Sequence, residues 1–550
     1  VTTVSSKDRI TMDCRRTARR AFPLLLPPLV AVLALPGDAA ALGFVVEPIG
    51  LAFGNPSTVA VADFDGDGLR DVAAGANSGA TVAVTFGGRL APPAAVAVGG
   101  TSNRIASGDL DGDGLPDLVA AVSTGIASPG MVAVRLSTGA GTFRSAPDLP
   151  LGRFPTGVAV ADLDRDGALD VAVSHYLSDE LRVALGNGDG TFAAPTVIPV
   201  DSGQYRVVVG DVDGDGARDL VTAQAPVNET SVLFGDGAGG FSAPVMVAAT
   251  DFPEDVAVAD IDGDGDDDVL IPVHGEQAVK VSRSNGDRMF ATQTTHPVGG
   301  GIVRLAVGDL DRDGRLDVAA PLSNANAVAV LRGDGTGSFE PVQQFTLGAA
   351  TTPAPIAIAD LDRDGAPDVL AADNSASRLL LLRNAPTVTV AGGPLTFGSA
   401  GAPIPQGTLS PAQAITLTND GVAPLRIAGV VFGGANADDF TLGSDTCRAT
   451  LAVGASCELR VRFAPQAEGA RAATLSVISN AAGLAPIALS GTAGPLPQGP
   501  PGSDGADGAP GSDGADGAKG DTGAAGPGGP AGPQGPAGPQ GPAGPQGRAG

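Results

Sequence analysis

Tryptophan is absent from the 550 residues, tyrosine occurs only at Tyr176 and Tyr205, and histidine only at His175, His274 and His296. Cores must therefore be built from Val, Ala, Leu and Phe. A sugar site walled by broad aromatic faces is disfavoured. No neighbouring residues complete a catalytic triad or a zinc site around any of the three histidines. Cys14, Cys447 and Cys457 are the only cysteines and form no CxxC pair. Cation is also scarce: 33 Lys and Arg stand against 60 Asp and Glu, a net charge of −27. This excludes nucleic acid as a partner, which needs Lys/Arg stripes. No glycine-rich loop opens a helix for phosphate. The chain reads as a non-enzyme.

What it has in abundance is one phrase, D-x-D-x-D-G-x-x-D. The first copy is Asp63, Asp65, Asp67 and Asp71, and the second Asp109, Asp111, Asp113 and Asp117. Asp162, Asp164, Asp166 and Asp170 follow, then Asp211, Asp213, Asp215 and Asp219. The last three are Asp260, Asp262, Asp264 and Asp268; Asp309, Asp311, Asp313 and Asp317; and Asp360, Asp362, Asp364 and Asp368. The starts lie 46, 53, 49, 49, 49 and 51 residues apart, which marks a repeat architecture.

The chemistry of this phrase is calcium. Carboxylates at positions 1, 3, 5 and 9, with a backbone carbonyl at position 7, can converge on a cation that takes oxygen ligands. Glycine at position 6 (Gly68 in the first copy) permits the sharp bend. An EF-hand is ruled out because position 12 is Ala74 and the flanks, Val59-Ala60-Val61-Ala62 and Val72-Ala73-Ala74, read as strands. Catalytic acid/base carboxylates would not need seven copies, and unliganded acidic turns would not keep one spacing seven times. The loops hold 28 of the 60 acidic residues, so much of the charge is localised ligand. Seven calcium ions would leave about −13.

The loops, with the turn Gly186-Asn187-Gly188-Asp189-Gly190-Thr191-Phe192 and its looser copies Gly235 to Phe241 and Gly333 to Phe339, resemble the FG-GAP/VCBS repeats of integrin α-subunit-like β-propellers. The resemblance implies one four-stranded blade per repeat, with calcium between a blade's first two strands. Seven repeats imply seven blades over 42–386. Repeat three shows the strands: Gly157 to Leu163, Asp170 to Ser174, Leu181 to Leu185 and Thr196 to Val200. The last repeat lacks a fourth strand, and Phe44 to Ile49 is expected to supply it and close the ring. Arg332-Gly333-Asp334, although an integrin-recognition tripeptide, reads as one of the glycine turns.

Residues 1–41 read as an export signal: Arg15, Arg16, Arg19 and Arg20, an apolar run from Leu24 to Leu35, then Ala39-Ala40-Ala41. Arg19-Arg20-Ala21-Phe22 partly resembles a twin-arginine motif, and the general and twin-arginine routes both stay open. Translation from Met12 is compatible with this signal. Residues 387–494 lack Asp loops and alternate as a β-sandwich does, through Leu395 to Phe397, Ile415 to Thr418, Pro424 to Ile427, Leu459 to Phe463 and Ala473 to Val477. With Ala435 to Phe440, Cys447, Cys457 and Phe463-Ala464-Pro465, this stretch is similar to choice-of-anchor D or abnormal-spindle/hydin-type immunoglobulin-like domains. Once the signal and Cys14 are removed, Cys447 and Cys457 remain to pair in an oxidising compartment.

Residues 495–550 carry Gly at every third position from Gly499 to Gly550, the collagen signature, since only Gly fits the axis of a triple helix. The run ends in full register without a trimerisation segment, so the expectation is a chain that continues or a helix seeded elsewhere. A triple-helical tail would make a homotrimer; a single copy would be polyproline-like or disordered.

The expected fold is thus all-β: a seven-bladed propeller, an Ig-like sandwich and a collagen-like tail. The expected role is a secreted or surface-displayed, calcium-stabilised interaction or adhesion protein with an extracellular protein or glycan ligand. A lectin or polysaccharide-active propeller is the alternative. Alternating strand direction puts the strand 2–3 and 4–1 loops on the face away from the Asp loops. There His175, Tyr176, Glu180, His274 and Glu276 are the candidate ligand residues.

Overall fold

The computed structural model describes residues 42–497 apart from 51–54, 77, 88–92, 126–127, 202, 250, 349–352 and 374–375. The expected export signal and nearly all of the expected collagen-like tail lie outside the described residues.

Among the described residues, seven antiparallel sheets follow one another as blades 1 to 7: 56–97, 101–153, 155–199, 204–249, 257–297, 306–346 and 353–384 with 44–50. Blades 1 to 6 place their strands in chain order from the axis outward, blade 7 takes Phe44–Gly50 as its outermost strand, and blade 2 adds a short strand, Phe143–Ser145. In blade 3 the strands are Pro155–Ala161, Asp170–His175, Glu180–Ala184 and Thr196–Pro199. The second strand of every blade is buried along its whole length, as in Leu118 to Ser123. It has a neighbouring blade on each face, so its sequence runs apolar without alternation.

Closure occurs as the sequence implies. Phe44–Gly50 pairs antiparallel with Arg378–Asn384, from Phe44 opposite Asn384 to Gly50 opposite Arg378. Ile49 packs with Leu379 of blade 7 against Val59 and Val72 of blade 1, at the seam where the ring ends meet. Elsewhere too the apolar clusters lie between blades, such as Val82 and Val84 of blade 1 with Ile105 and Leu118 of blade 2.

The following residues form two packed sheets. One orders Val388–Ala391, Gln413–Asn419, Ser456–Phe463 and Phe440–Asp445. The other orders Leu395–Phe397, Ile487–Gly494, Gly469–Ser479 and Ile427–Gly433, with Ile404–Pro405 beside Ile487–Gly494. The strand read at Pro424 to Ile427 begins later, at Ile427, and Leu425 instead makes a lone bridge to Leu451. Phe397, Phe440 and Phe463 meet at the centre with centroids 5.0–6.0 Å apart. Asp439, 1 % exposed, explains part of the Ala435 to Phe440 motif. It pairs with Arg471 and accepts the Gln466 N–H at 2.8 Å. Cys447 and Cys457 are disulfide-bonded at the edge of this core. Val422 and Ala423 also pack among residues of blades 6 and 7, which seats the sandwich against the propeller.

Candidate functional site

Each Asp loop is wound by its own carboxylates. Asp63 accepts the Gly66 N–H at 2.8 Å and the Gly68 N–H at 2.7 Å on its two oxygens. Asp65 accepts from the Asp67 N–H and Asp67 from the Leu69 N–H. These short side-chain-to-backbone bonds form in preference to strand pairing. Position 4 has positive φ in all seven loops: glycine in Gly66, Gly112, Gly214 and Gly263, arginine in Arg165, Arg312 and Arg363. This second left-handed residue was not singled out in the sequence, although the Gly/Arg alternation there was visible.

The ninth-position aspartates do more than present a ligand. Asp71 is 1 % exposed and accepts the Phe64 N–H at 2.7 Å on one oxygen and the Gly87 N–H at 2.7 Å on the other. The same double bond recurs at Asp170 with Leu163 and Gly186, and at Asp317 with Leu310 and Gly333. This carboxylate therefore ties the loop to the turn after strand three, which puts the Asp loops and the glycine turns on one face. Gly186↔Phe192, Gly235↔Phe241 and Gly333↔Phe339 are the bridges of those turns. A fourth, Ser284↔Phe290, was missed because serine replaces the leading glycine.

The position-2 residue between the first two aspartates is Phe64, Leu110, Leu163, Val212, Ile261, Leu310 or Leu361, always at most 5 % exposed. Its carbonyl receives the next blade. Gly190 N–H reaches Leu110 O at 3.0 Å, Ser284 Oγ reaches Val212 O at 2.5 Å, and Asn384 Nδ2 reaches Leu310 O at 2.7 Å. The loops are joints between blades as well as turns within them.

Converging oxygens meet the demand of a divalent cation. One carboxylate oxygen from each of Asp63, Asp65 and Asp71 lies within 4.8 Å of the others, and so for Asp109, Asp111 and Asp117; Asp162, Asp164 and Asp170; and Asp211, Asp213 and Asp219. In the fifth loop the trio is Asp260, Asp262 and Asp264. The other fifth-position residues of these loops, Asp67, Asp113, Asp166 and Asp215, lie exposed at the rim. Five buried oxygens of these loops accept no hydrogen bond among the described residues: Oδ1 of Asp111, Asp162, Asp211, Asp262 and Asp360. Orphaned buried carboxylate oxygens in acidic clusters fit a hard cation with oxygen ligands. On Asp111 and Asp262 the other oxygen is held by an arginine, Arg144 at 2.6 Å and Arg283 at 3.2 Å, which aims Oδ1 inward. Burial, with the neighbouring carboxylates adding to it, pushes the ninth-position groups up: Asp71, Asp117 and Asp219 to about 6, and Asp268, Asp317 and Asp368 to about 7. A divalent cation would supply the missing positive charge.

The opposite face differs in part from expectation. His175 is not on it: it ends the second strand of blade 3 and is 0 % exposed, with its pKa pushed down to about 4 by burial. His274 and Glu276 are exposed, with Glu276 paired to Lys280 at 2.5 Å. Tyr176 and Glu180 are half-buried, and Glu180 is paired to Arg182 at 2.9 Å. Tyr176 belongs to a row of rings that the sequence did not disclose. Phe154 to Tyr176, Tyr176 to Tyr205 and Tyr205 to Phe252 have centroids 6.4, 4.8 and 6.0 Å apart. Phe154 and Phe252 sit in strand 4–1 connections with positive φ. One end of the row lines a cleft of ≈680 Å³ with Asn103 and Thr124, and the other a cleft of ≈300 Å³ with Glu254 and His274. The tripeptide Arg332-Gly333-Asp334 is engaged in its turn: Arg332 pairs with Asp311 and Glu340, and Asp334 accepts the Thr336 N–H.

The family model described as FG-GAP-like repeat matches residues 63–120, 109–173, 172–222, 211–271 and 318–371. That for the collagen triple helix repeat (20 copies) matches 490–550. The chain thus carries FG-GAP-like repeats and a collagen-like repeat. No curated protein matches it. Among solved structures, an Agrocybe aegerita lectin described as recognising non-reducing terminal N-acetylglucosamine is similar at 20 % identity. That match covers 56 % of this chain and 91 % of the lectin, with a TM-score of 0.42. BBS1N, solved in complex with ARL6DN and soaked with mercury, is similar at 12 % identity over 63 % of this chain and 98 % of its own, with a TM-score of 0.47.

Proposed function

We propose that this chain is an extracellular, calcium-stabilised interaction or adhesion protein: a propeller head over 42–386, a sandwich spacer over 387–494 and a collagen-like stalk over 495–550. Calcium is held by the first-, third-, fifth- and ninth-position aspartates of each loop, and the backbone winding of those loops supports that assignment. The metal serves structure, because the loops are also the joints between blades.

The observation that carries the binding role is the aromatic row. Both tyrosines of the chain and two phenylalanines line up on the face away from the metal loops, and Phe252 is 45 % exposed. Ring faces offered by loops on a rigid scaffold suit recognition. The row also favours a second reading, a glycan ligand stacked on Tyr176 or Phe252, despite the absence of tryptophan. Three heads on a trimeric stalk would turn weak contacts into avidity.

The test replaces Tyr176, Phe252 and Glu276 together by Ala in the calcium-loaded chain. Retained melting with lost attachment to surface extracts supports the reading. Undiminished attachment removes this face and directs attention to the sandwich or stalk. A glycan array separates a sugar ligand from a protein one.

A further inference from the structure

The residue five places before the first aspartate of each loop occupies the same station on every blade: Thr58, Arg104, Gly157, Arg206, Asp255, Arg304 and Pro355. Five of these, Pro355 and four charged residues, come together at the axis. Arg104, Arg206, Asp255 and Arg304 line one cavity with Val59 and Ile356. Arg104, Arg206 and Asp255 are 6, 5 and 4 % exposed.

Their charges do not cancel. A single oxygen, Asp255 Oδ1, faces both Arg104 Nη2 at 3.4 Å and Arg206 Nε at 3.1 Å. Arg304 spends its Nη1 on the carbonyls of Glu254 and Val303, both at 3.1 Å. The Nε groups of Arg104 and Arg304 are buried and donate to no atom of the described residues. Three guanidiniums thus meet one buried carboxylate, with the Glu254 side chain half-exposed beside them. Burial and mutual repulsion lower the pKa of Arg104, yet guanidinium stays protonated in proteins. Buried charge without a partner is costly, and these donors have one unmet need in common.

We propose that the propeller axis holds a monatomic anion of the size of chloride, bound by Arg104, Arg206 and Arg304. Size selects this occupant. The cavity measures ≈10 Å³, room for about one water-sized particle. A tetrahedral oxyanion is larger than this space. Water alone would satisfy the Nε donors and leave the charge. Bound anion would tie blades 2, 4 and 6 across the axis, independently of the calcium loops at the rim.

The test uses the full calcium-loaded chain with chloride, bromide or gluconate at one ionic strength. Chloride and bromide should raise Tm saturably, by about 2–4 °C, where gluconate does not. Crystals grown in bromide should show an anomalous peak inside the arginine cluster. Arg304→Gln, at the half-exposed member, should keep the fold and weaken the halide increment. Arg104→Gln should abolish it. An equal rise with gluconate, an unchanged increment in Arg304→Gln, or no bromide peak in the wild-type crystal would each overturn the site. The bromide measurement stands even if Arg104→Gln fails to fold.

Discussion

Glu47 accepts a hydrogen bond from Arg383 Nε at 3.2 Å, across 336 residues of chain. The same guanidinium reaches Asp362 Oδ2 at 2.7 Å, so the strand that closes the ring is tied to the Asp loop of the blade it completes. The closing strand covers the edge of Arg378–Asn384, which would otherwise be open. Ile49, 3 % exposed in the seam between blades 7 and 1, should be its anchor. Ile49→Ala is expected to cost about 2–4 kcal/mol. Glu47→Ala should cost at most about 1 kcal/mol, because Glu47 is 44 % exposed at its side chain. Denaturant melts followed by tyrosine fluorescence measure both, and equal small effects would mean the ring closes without this strand.

Calcium should govern the propeller and not the sandwich. A ligand bound only by the folded state adds RT ln(1 + [L]/Kd), about several kcal/mol for a chain with multiple filled sites. Chelation with EDTA should lower the propeller's Tm strongly and leave the sandwich transition in place. Two substitutions in one loop separate latch from ligand. Asp117→Ala strands the N–H groups of Leu110 and Ser137 in the interior and should cost about 2–4 kcal/mol even without calcium. Asp113→Ala, at the exposed rim, should cost about 1 kcal/mol or less in the apo form and act by lowering calcium affinity. Calorimetry with and without calcium gives both numbers. A melt indifferent to EDTA would remove calcium from the account.

The period, the seven loops and three of the four turn phenylalanines were legible because each follows a repeated local rule, and the closing strand because the last repeat breaks it. What stayed hidden depends on how different repeats meet. Tyr176 and Tyr205 lie 29 positions apart in sequence, one in a strand 2–3 loop of blade 3 and the other in the first strand of blade 4, and meet edge to face only because those two blades are neighbours. His175 reads as a loop residue beside Tyr176. Blade 2 lies against it, and a Cβ on Gly152 of that blade would sit 3.4 Å from the His175 ring. The axial arginines were legible in principle at one fixed offset from each loop. Their convergence required knowing that this offset points to the axis. In the sandwich, Phe440–Asp445 went unread because alternation is weak there, and Ile487–Gly494 because Ala, Ser, Gly and Thr fill most of its positions.

The disulfide should stabilise the sandwich alone. Cys447 and Cys457 close a loop of sequence separation 10, between the end of one strand region and the strand Ser456–Phe463. A loop this short is worth about 2–3 kcal/mol. Reduction, or Cys447→Ala with Cys457→Ala, should lower the sandwich's unfolding free energy by that amount and leave calcium affinity unchanged. Free thiols in exported protein, seen by mass spectrometry, would contradict the pairing.

His175 should make the calcium-loaded propeller acid-sensitive. Its imidazole is fully buried and neither ring nitrogen has a hydrogen-bond partner among the described residues. Burial sets its pKa at about 4, below the ordinary 6.5. Glu180 opposes the shift and Arg182 adds to it; these are the charged groups that face the ring. The folded pKa is depressed, so the unfolded chain takes the proton first. Stability is therefore intact above pH 6.5 and is lost progressively as pH falls from 6.5 to about 4, by about 2–3 kcal/mol in total. The ninth-position aspartates would shift the other way in the metal-free form, so the measurement is made in saturating calcium and as a difference. His175→Leu keeps the apolar volume and removes the proton site. Unfolding free energies of the two chains at pH 7.5 and pH 5 should diverge at the lower pH, with the wild type losing more. Parallel pH curves would show that His175 reaches water, and would return it to the exposed face where the sequence had put it.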